Sequence, residues 1–265
     1  MCIKKSVGIK GQNNKPDVKV IQAALNLSQQ KDFKLPADLV VDGIKGDKTY
    51  DAIKLFQKNI CKMSSPDGRV DPGAKGETLK TLKQHTKKGL SKDALAAIMS
   101  HSTKSRINTY YPLITTNLDK NDINTPLRKA HFLSQVGHES LSFKYTEEIA
   151  SGAKYEGRIE SLGNTEVGDG KRFKGRGLIQ LTGRRNYTAY ADYSCLNLLA
   201  KGNERLISTM PMYALDVAIW FWNEQDLNAY ADIDDVRKVT RIVNGGYNGL
   251  EDRKNYLCRA KFFLQ

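Results

Sequence analysis

Several catalytic classes are excluded by what this chain lacks. It has four cysteines in 265 residues, Cys2, Cys61, Cys195 and Cys258, and no two form a Cys-x-x-Cys pair. That spacing argues against a zinc ribbon or a dithiol redox centre and predicts reduced thiols rather than a disulfide framework. The histidines are His85, His101, His131 and His138, with no His-Glu-x-x-His among them, so neither a metal site nor any cofactor is expected. No Gly-x-Ser-x-Gly nucleophile elbow occurs. The glycine-rich basic stretch Gly168–Arg176 does not fit a phosphate loop, and it lacks the aromatic lining of a nucleic-acid surface. No apolar run approaches the roughly 18 to 20 residues that span a bilayer. The longest, Met212 to Trp222, is interrupted by Asp216, and its Trp220 and Trp222 read as core. Residues 1–8 show no apolar signal core, so the chain is expected to accumulate in the cytoplasm where it is made.

Acidic residues are also short. There are 29 Asp and Glu against 42 Lys and Arg, a formal charge of +13. The imbalance is concentrated in residues 1–90, with 18 basic against 9 acidic residues. Such a field favours a polyanionic partner: nucleic acid, anionic lipid or an acidic cell wall.

The rest of the sequence divides in two. In residues 10–84, Asp17 is read as the N-cap of a helix that puts Val18, Ile21, Ala24 or Leu25, and Leu27 on one face. A glycine-rich turn follows at Val41-Asp42-Gly43-Ile44-Lys45-Gly46. Asp47 or Thr49 is then expected to cap a helix through Tyr50 to Gln57. A related pattern recurs at Asp67-Gly68, Gly73 and Gly76-Glu77-Thr78, a weak internal repeat of Asp-Gly, Gly, Thr, helix. Val18, Gln22 and Leu25, then Val41-Asp42-Gly43, Gly46 and Thr49, then Phe56-Gln57 resemble the three-helix peptidoglycan-binding domain family. That resemblance implies a wall-binding module with Asp42, Gly43, Thr49, Phe56 and Gln57 as its marker residues. The polar, lysine-rich stretch 85–92 is read as a linker, so the division expected is 1–88 and 89–265. Beyond it the chain reads as mainly α, with helices at Asp93–Ser100, Pro126–Glu139, Met212–Glu224 and Asp234–Val243, the last ended by Asn244-Gly245-Gly246.

Carboxyl groups cluster in the middle of this second part: Glu139, Glu147, Glu148, Glu156, Glu160, Glu166 and Asp169. Two facing carboxyls are what glycosidic cleavage uses, one to protonate the leaving oxygen and one to attack or to activate water. Glu139 ends an apolar helical run (Ala130, Phe132, Leu133, Val136), where partial burial favours the protonated form of a carboxyl. On one straight helix Glu148 would lie about 13 Å further along the axis. The helix is therefore expected to break at Ser140-Leu141-Ser142 and the chain to turn back. Glu147 stays open as the alternative partner. Alternation puts Arg176, Leu178, Gln180 and Thr182 on one face of an extended strand.

His138-Glu139-Ser140 and Gly175-Arg176-Gly177-Leu178-Ile179-Gln180-Leu181-Thr182-Gly183-Arg184-Arg185-Asn186-Tyr187 resemble the signatures of glycoside hydrolase family 19, with Leu178 where that family has proline. The resemblance implies a lysozyme-like, mainly α-helical fold with a small β element. It implies Glu139 as general acid, Glu148 as general base and Thr182 positioning the attacking water, with inversion at the anomeric carbon. Gln180, Asn186, Asn244 and Tyr145 would contact sugar, and Arg253 would sit behind the acid. Coupled to a wall-binding module, the family's endolysin branch implies a muramidase-type, host-lysing enzyme. It would be a monomer, reach peptidoglycan after holin-dependent release from the host cytoplasm, and have no nucleic-acid partner. A chitinase and a non-catalytic wall-binding protein are the alternatives.

Overall fold

A computed structural model describes residues 2–73 and 76–265. Met1, Ala74 and Lys75, which fall inside the expected 1–88 module, lie outside the described residues. The fold is mainly α, with 56% of the chain helical, and it divides into two compact units: Met1–Asn108 with Lys254–Gln265, and Thr109–Arg253.

In the first unit, α1 (Lys15–Leu27), α2 (Asp47–Asn59), α3 (Glu77–His85) and α4 (Lys92–Ile98) accompany a two-stranded antiparallel ribbon, β1 (Val7–Gly8) with β2 (Arg69–Val70). α1 is the central helix: Val18, Ile21, Ala24 and Leu25 are fully buried, and it packs on α2, α3 and α4. Asp17 is not its N-cap. The helix starts at Lys15 with Pro16 in its first turn, which needs no amide there. The Asp17 carboxylate instead accepts the Lys4 and Lys5 amides at 3.1 and 3.0 Å. Neither Asp47 nor Thr49 caps α2, whose N-cap is Gly46 with no side-chain bond.

The weak repeat is a structural one. Gln22 Nε2 donates to Asp42 Oδ1 (3.1 Å), the Ile44 carbonyl (3.3 Å) and Thr49 Oγ1 (3.4 Å), while its Oε1 accepts the Gly43 amide (2.9 Å). Gln57 Nε2 donates to Asp67 Oδ1 (2.6 Å), the Arg69 carbonyl (2.9 Å) and Thr78 Oγ1 (3.1 Å), while its Oε1 accepts the Gly68 amide (2.8 Å). Each glutamine thus satisfies an Asp-Gly turn and the first turn of the next helix from inside the core. Gly43 and Gly68 take the left-handed φ values (77° and 68°) that such turns require. Phe56 is fully buried edge-on to Phe33. The five marker residues therefore build the module's own scaffold, and Phe56 and Gln57 keep no surface for a ligand. The 85–92 stretch is hydrogen-bonded rather than free: the Lys87 amide donates to Leu27 O and the Gly89 amide to Phe263 O.

The second unit is built around α6 (Pro126–Glu139), following α5 (Lys104–Asn117), within which the division falls. α7 (Arg184–Ser194), α8 (Pro211–Glu224), α9 (Leu227–Asp232), α10 (Val236–Asn244) and the start of α11 (Leu250–Leu264) follow, α11 passing into the first unit from Lys254 onward. Thr125 Oγ1 caps α6 by accepting the Arg128 amide at 3.1 Å. Phe132 on α6 meets Trp222 of α8 edge-on at 5.5 Å, and α9 and α10 pack against α6. Trp222 is buried and its indole N–H donates to Asn228 Oδ1 at 2.9 Å, so it belongs to the core as expected.

Candidate active site

Glu139 is the last residue of α6. Its Oε1 accepts a hydrogen bond from Arg253 Nη2, and Arg253 Nη1 donates to Gln135 Oε1. Gln135 lies one helical turn before Glu139 on the same face. Ser134 Oγ completes the clamp by donating to the Arg253 carbonyl at 2.8 Å. Arg253 is fully buried, whereas the Glu139 side chain keeps 16% of its surface. A buried guanidinium requires a counter-ion. The Glu139 carboxyl group is the acidic partner that Arg253 faces, and the contact fixes that group's orientation. One residue earlier on both helices, His138 Nδ1 and Asp252 Oδ2 are 2.7 Å apart. The imidazole lies so close to Gly249 that a Cβ there would come within 2.1 Å of its Cε1.

The chain then reverses as expected, through a conformation that no residue type in it announces. Leu141, Ser142 and Phe143 have φ of 45°, 59° and 66°, three left-handed non-glycine residues in succession. Each costs about 1–2 kcal/mol relative to the right-handed form. The turn is held by Ser142 N to Gly137 O (2.7 Å), Lys144 N to Ser140 O (2.8 Å) and Tyr145 N to Ser140 O (2.9 Å). Phe143 is buried against Tyr110 at 4.7 Å.

The returning segment pairs with the glycine-rich signature. Gly177 N donates to Thr146 O and Glu148 N to Gly175 O, both at 2.8 Å. The two glutamates consequently point apart. Glu147 contacts Lys174 (3.1 Å), the buried Arg176 (3.3 Å) and Ser208 (3.3 Å). Burial pushes the Glu147 carboxyl up, but the bonds and charges of Lys174 and Arg176 outweigh it and hold it below its ordinary value. Glu147 is the counter-ion of Arg176. Glu148 meets a different set: Oε1 accepts from Lys154 Nζ (3.0 Å) and Tyr155 OH (3.2 Å), and Oε2 from the Gly175 amide (3.2 Å). A Cβ at Gly175 would sit 2.8 Å from Gln180 Oε1 and 3.4 Å from Glu148 Cβ. The absence of that atom lets these two side chains close over the backbone.

Residues 176–182 are not an extended strand. Arg176 and Leu181 bridge to each other, and residues 177–180 form a tight turn in which Gly177 (φ 77°) and Gln180 (φ 57°) are left-handed. Alternation fails because two left-handed residues reverse the chain inside the pattern. Arg176 and Leu178 are buried, while Gln180 and Thr182 stay partly exposed. Thr182 Oγ1 donates to Gln180 O at 2.9 Å, and Asn186, in the first turn of α7, donates to Thr182 O at 2.8 Å.

The structure thus brings Glu139, Gln135 and Arg253 into one cluster, and Glu148, Gly175 and Gln180 into a second, with Thr182 and Asn186 bonded in sequence behind Gln180. Tyr145 lies on the connecting turn, half-buried, with Lys144 Nζ 4.8 Å from its ring centroid. Asn244 ends α10 with an exposed side chain. Among the described residues, no hydrogen bond ties it to either cluster. Sequence reasoning missed Gln135, which i−4 spacing from Glu139 could have revealed. It also missed Lys154 and Tyr155, for which no periodic signal existed.

Residues 119–237 match the protein-family model for class I chitinases, glycoside hydrolase family 19. A Haemophilus influenzae protein described as containing a glycosyl hydrolase family 19 domain is 28% identical, over 59% of this chain and 88% of its own length. An Arabidopsis thaliana endochitinase is 38% identical, over 49% of this chain and 47% of its own length. The chain therefore spans about half of that plant relative. Chitinase C of Streptomyces griseus superposes with a TM-score of 0.54 at 22% identity, covering 76% of this chain and 82% of that one. A bacterial family 19 chitinase superposes with a TM-score of 0.53 at 18% identity, covering 65% and 94%. These two likenesses speak for the lysozyme-like, mainly α fold. Residues 119–237 are similar to the catalytic domain of glycoside hydrolase family 19, and these likenesses support a glycoside hydrolase.

Proposed function

We propose that this hydrolase is a muramidase-type endolysin, cutting the β-1,4 glycan of bacterial peptidoglycan with Glu139 as general acid and Glu148 as general base. The observation that carries the assignment is the left-handed turn at 141–143. It ends α6 on one carboxyl and returns the chain so that a second, nine residues on, is offered from a separate segment. Glu139 gives its proton to the leaving oxygen as the glycosidic bond breaks. Glu148 takes a proton from the water that attacks the anomeric carbon on the opposite face, and the Thr182 hydroxyl orients that water. Gln180, Asn186, Asn244 and Tyr145 hold the sugars. Glu147 is set aside as base because it is the counter-ion of the buried Arg176, whereas the lysine that meets Glu148 is exposed. Attack opposite the leaving group inverts the anomeric centre, which calls for carboxyls roughly 6.5–9.5 Å apart.

Peptidoglycan is favoured as substrate by the excess of nine positive charges in residues 1–90 and by the Gln–Asp-Gly–Thr architecture of the first unit, which resembles a wall-binding module. In this reading the protein is made in the cytoplasm of a phage's host and reaches the wall after release. The second reading is a chitinase, favoured by the Arabidopsis relative, which is named an endochitinase.

The test digests purified peptidoglycan and chitin oligomers separately and identifies products by mass spectrometry. New reducing sugar ends from peptidoglycan are expected, with the α-anomer appearing first in the proton NMR spectrum. Glu139→Gln, folded by circular dichroism, is expected to lose about 10³-fold of the rate, within the range of general acid catalysis. Products from chitin alone would select the second reading, and an undiminished Glu139→Gln would remove Glu139 from the chemistry.

A further inference from the structure

Glu148 has a companion that a neutral glycan does not require. Lys154 Nζ lies 3.0 Å from Glu148 Oε1, and the lysine side chain is 59% exposed where that of the glutamate is 16% exposed. The ammonium therefore sits on the solvent side of the carboxylate. Its Nζ lies over the Tyr155 ring, 4.7 Å from the centroid, and the Tyr155 hydroxyl donates to the same Oε1 at 3.2 Å. Hydrogen bonds to Glu148 and to the Tyr155 side chain use two of the three donors of the lysine ammonium and leave the third for solvent.

From this arrangement we infer that Lys154 is a specificity-determining residue that receives a carboxylate carried by the substrate. The inference rests on the endolysin reading above. Wall glycan differs from chitin in one chemical respect near the cleaved bond: every second sugar bears a 3-O-lactyl arm. On peptide-free strands that arm ends in a carboxylate, and on intact strands the stem peptide attached to it carries one. A substrate anion approaching Glu148 meets like charge, and such repulsion in a partly desolvated site slows binding. A cation already bonded to Glu148 and open to solvent cancels that repulsion and offers the incoming anion a direct partner. For a neutral chitin chain the same lysine contributes nothing specific.

The experiment uses the full-length protein and five substrates: peptide-free glycan strands, the same strands with their carboxylates amidated, intact peptidoglycan strands with and without the same amidation, and the N-acetylglucosamine hexamer. Wild type is expected to show about a five- to tenfold higher kcat/KM on peptide-free acidic strands than on their amidated form, carried mainly by KM and shrinking as salt is raised. Lys154→Met is expected to erase that ratio and Lys154→Arg to keep it. Lys201→Met, which removes one exposed charge elsewhere, leaves it intact. A ratio seen only with intact strands assigns the anion to the stem peptide and upholds the inference. If Lys154→Met leaves the ratio unchanged, or slows every substrate equally, Lys154 merely braces Glu148 and the inference falls. If wild type cuts the hexamer but no wall strand, the endolysin reading fails first and takes the inference with it.

Discussion

At the scale of single residues, the candidate site is governed by how its charges are paired. Arg253 is fully buried and faces Glu139 and Gln135, so removing either end of the ion pair strands the other. Arg253→Leu is expected to lower stability by about 3–5 kcal/mol in urea unfolding. It should also cost about 100-fold in hydrolysis through misplacement of Glu139. Glu147 predicts a pH effect instead. Its folded carboxyl binds a proton less tightly than the unfolded one, for which 4.5 is the ordinary value. The stabilisation from its pairing with Lys174 and Arg176 is therefore complete above that value and is lost as pH falls through the lower, folded one. Thermal unfolding of Glu147→Gln should start from a lower Tm at neutral pH, and the gap to wild type should close progressively as pH falls below 4.5. A gap constant down to strongly acid pH would show that the pairing is not what stabilises this corner.

At the scale of elements, the most consequential piece is the turn at 141–143. Leu141→Val should cost about 1–2 kcal/mol, because branching at Cβ worsens a left-handed backbone, while Leu141→Gly should be close to neutral. Denaturant midpoints of the two variants, read beside their hydrolysis rates, test this. This element also shows what could be read in advance. The stop after Glu139 was legible because two carboxyls nine residues apart cannot work from one straight helix. The left-handed path was not, since Leu, Ser and Phe have no preference for it. It is imposed by burial of Phe143 and by bonds back to Gly137 and Ser140. The strand expected over 176–182 failed for a related reason: alternation describes side chains only while the backbone stays extended, and Gly177 and Gln180 do not. Pro126–Glu139 was legible to the residue, from its first-turn proline and local apolar spacing, and the other helices expected beyond residue 92 were legible to within two residues. In the first unit, the repeated Asp-Gly and Thr signals located two turns correctly, but only the structure reveals Gln22 and Gln57 as their organisers. Gln22→Leu and Gln57→Leu should therefore destabilise by similar amounts, about 2–4 kcal/mol each, since each strands several buried polar partners.

At the scale of the whole molecule, the compact units do not follow the order of the chain. Residues 254–265, read as the end of the hydrolase, pack within the first unit together with residues up to Asn108. Their attachment is specific. Lys88 Nζ donates to Phe262 O at 2.7 Å, the Gly89 amide to Phe263 O at 2.9 Å, and Arg259 Nε to Ile98 O at 3.2 Å. Tyr256, Ala260 and Phe263 are fully buried there. The Glu139 clamp, by contrast, draws on Ser134, Gln135 and Arg253, all inside Thr109–Arg253. Cutting at the 88/89 boundary suggested by composition would thus leave the final helix attached to the hydrolase while removing most of the unit to which Lys254–Gln265 belong. A fragment of residues 89–265 is expected to bind a hydrophobic dye and to unfold at a lower temperature than the full chain, because the large side chains of Tyr256 and Phe263 lose cover. Adding residues 1–88 back as a separate chain should restore the Tm if that loss of cover is the cause. If the fragment is as stable as the whole protein and binds no dye, the first unit contributes nothing to the last helix. Residues 1–88 would then be separable at the composition boundary after all.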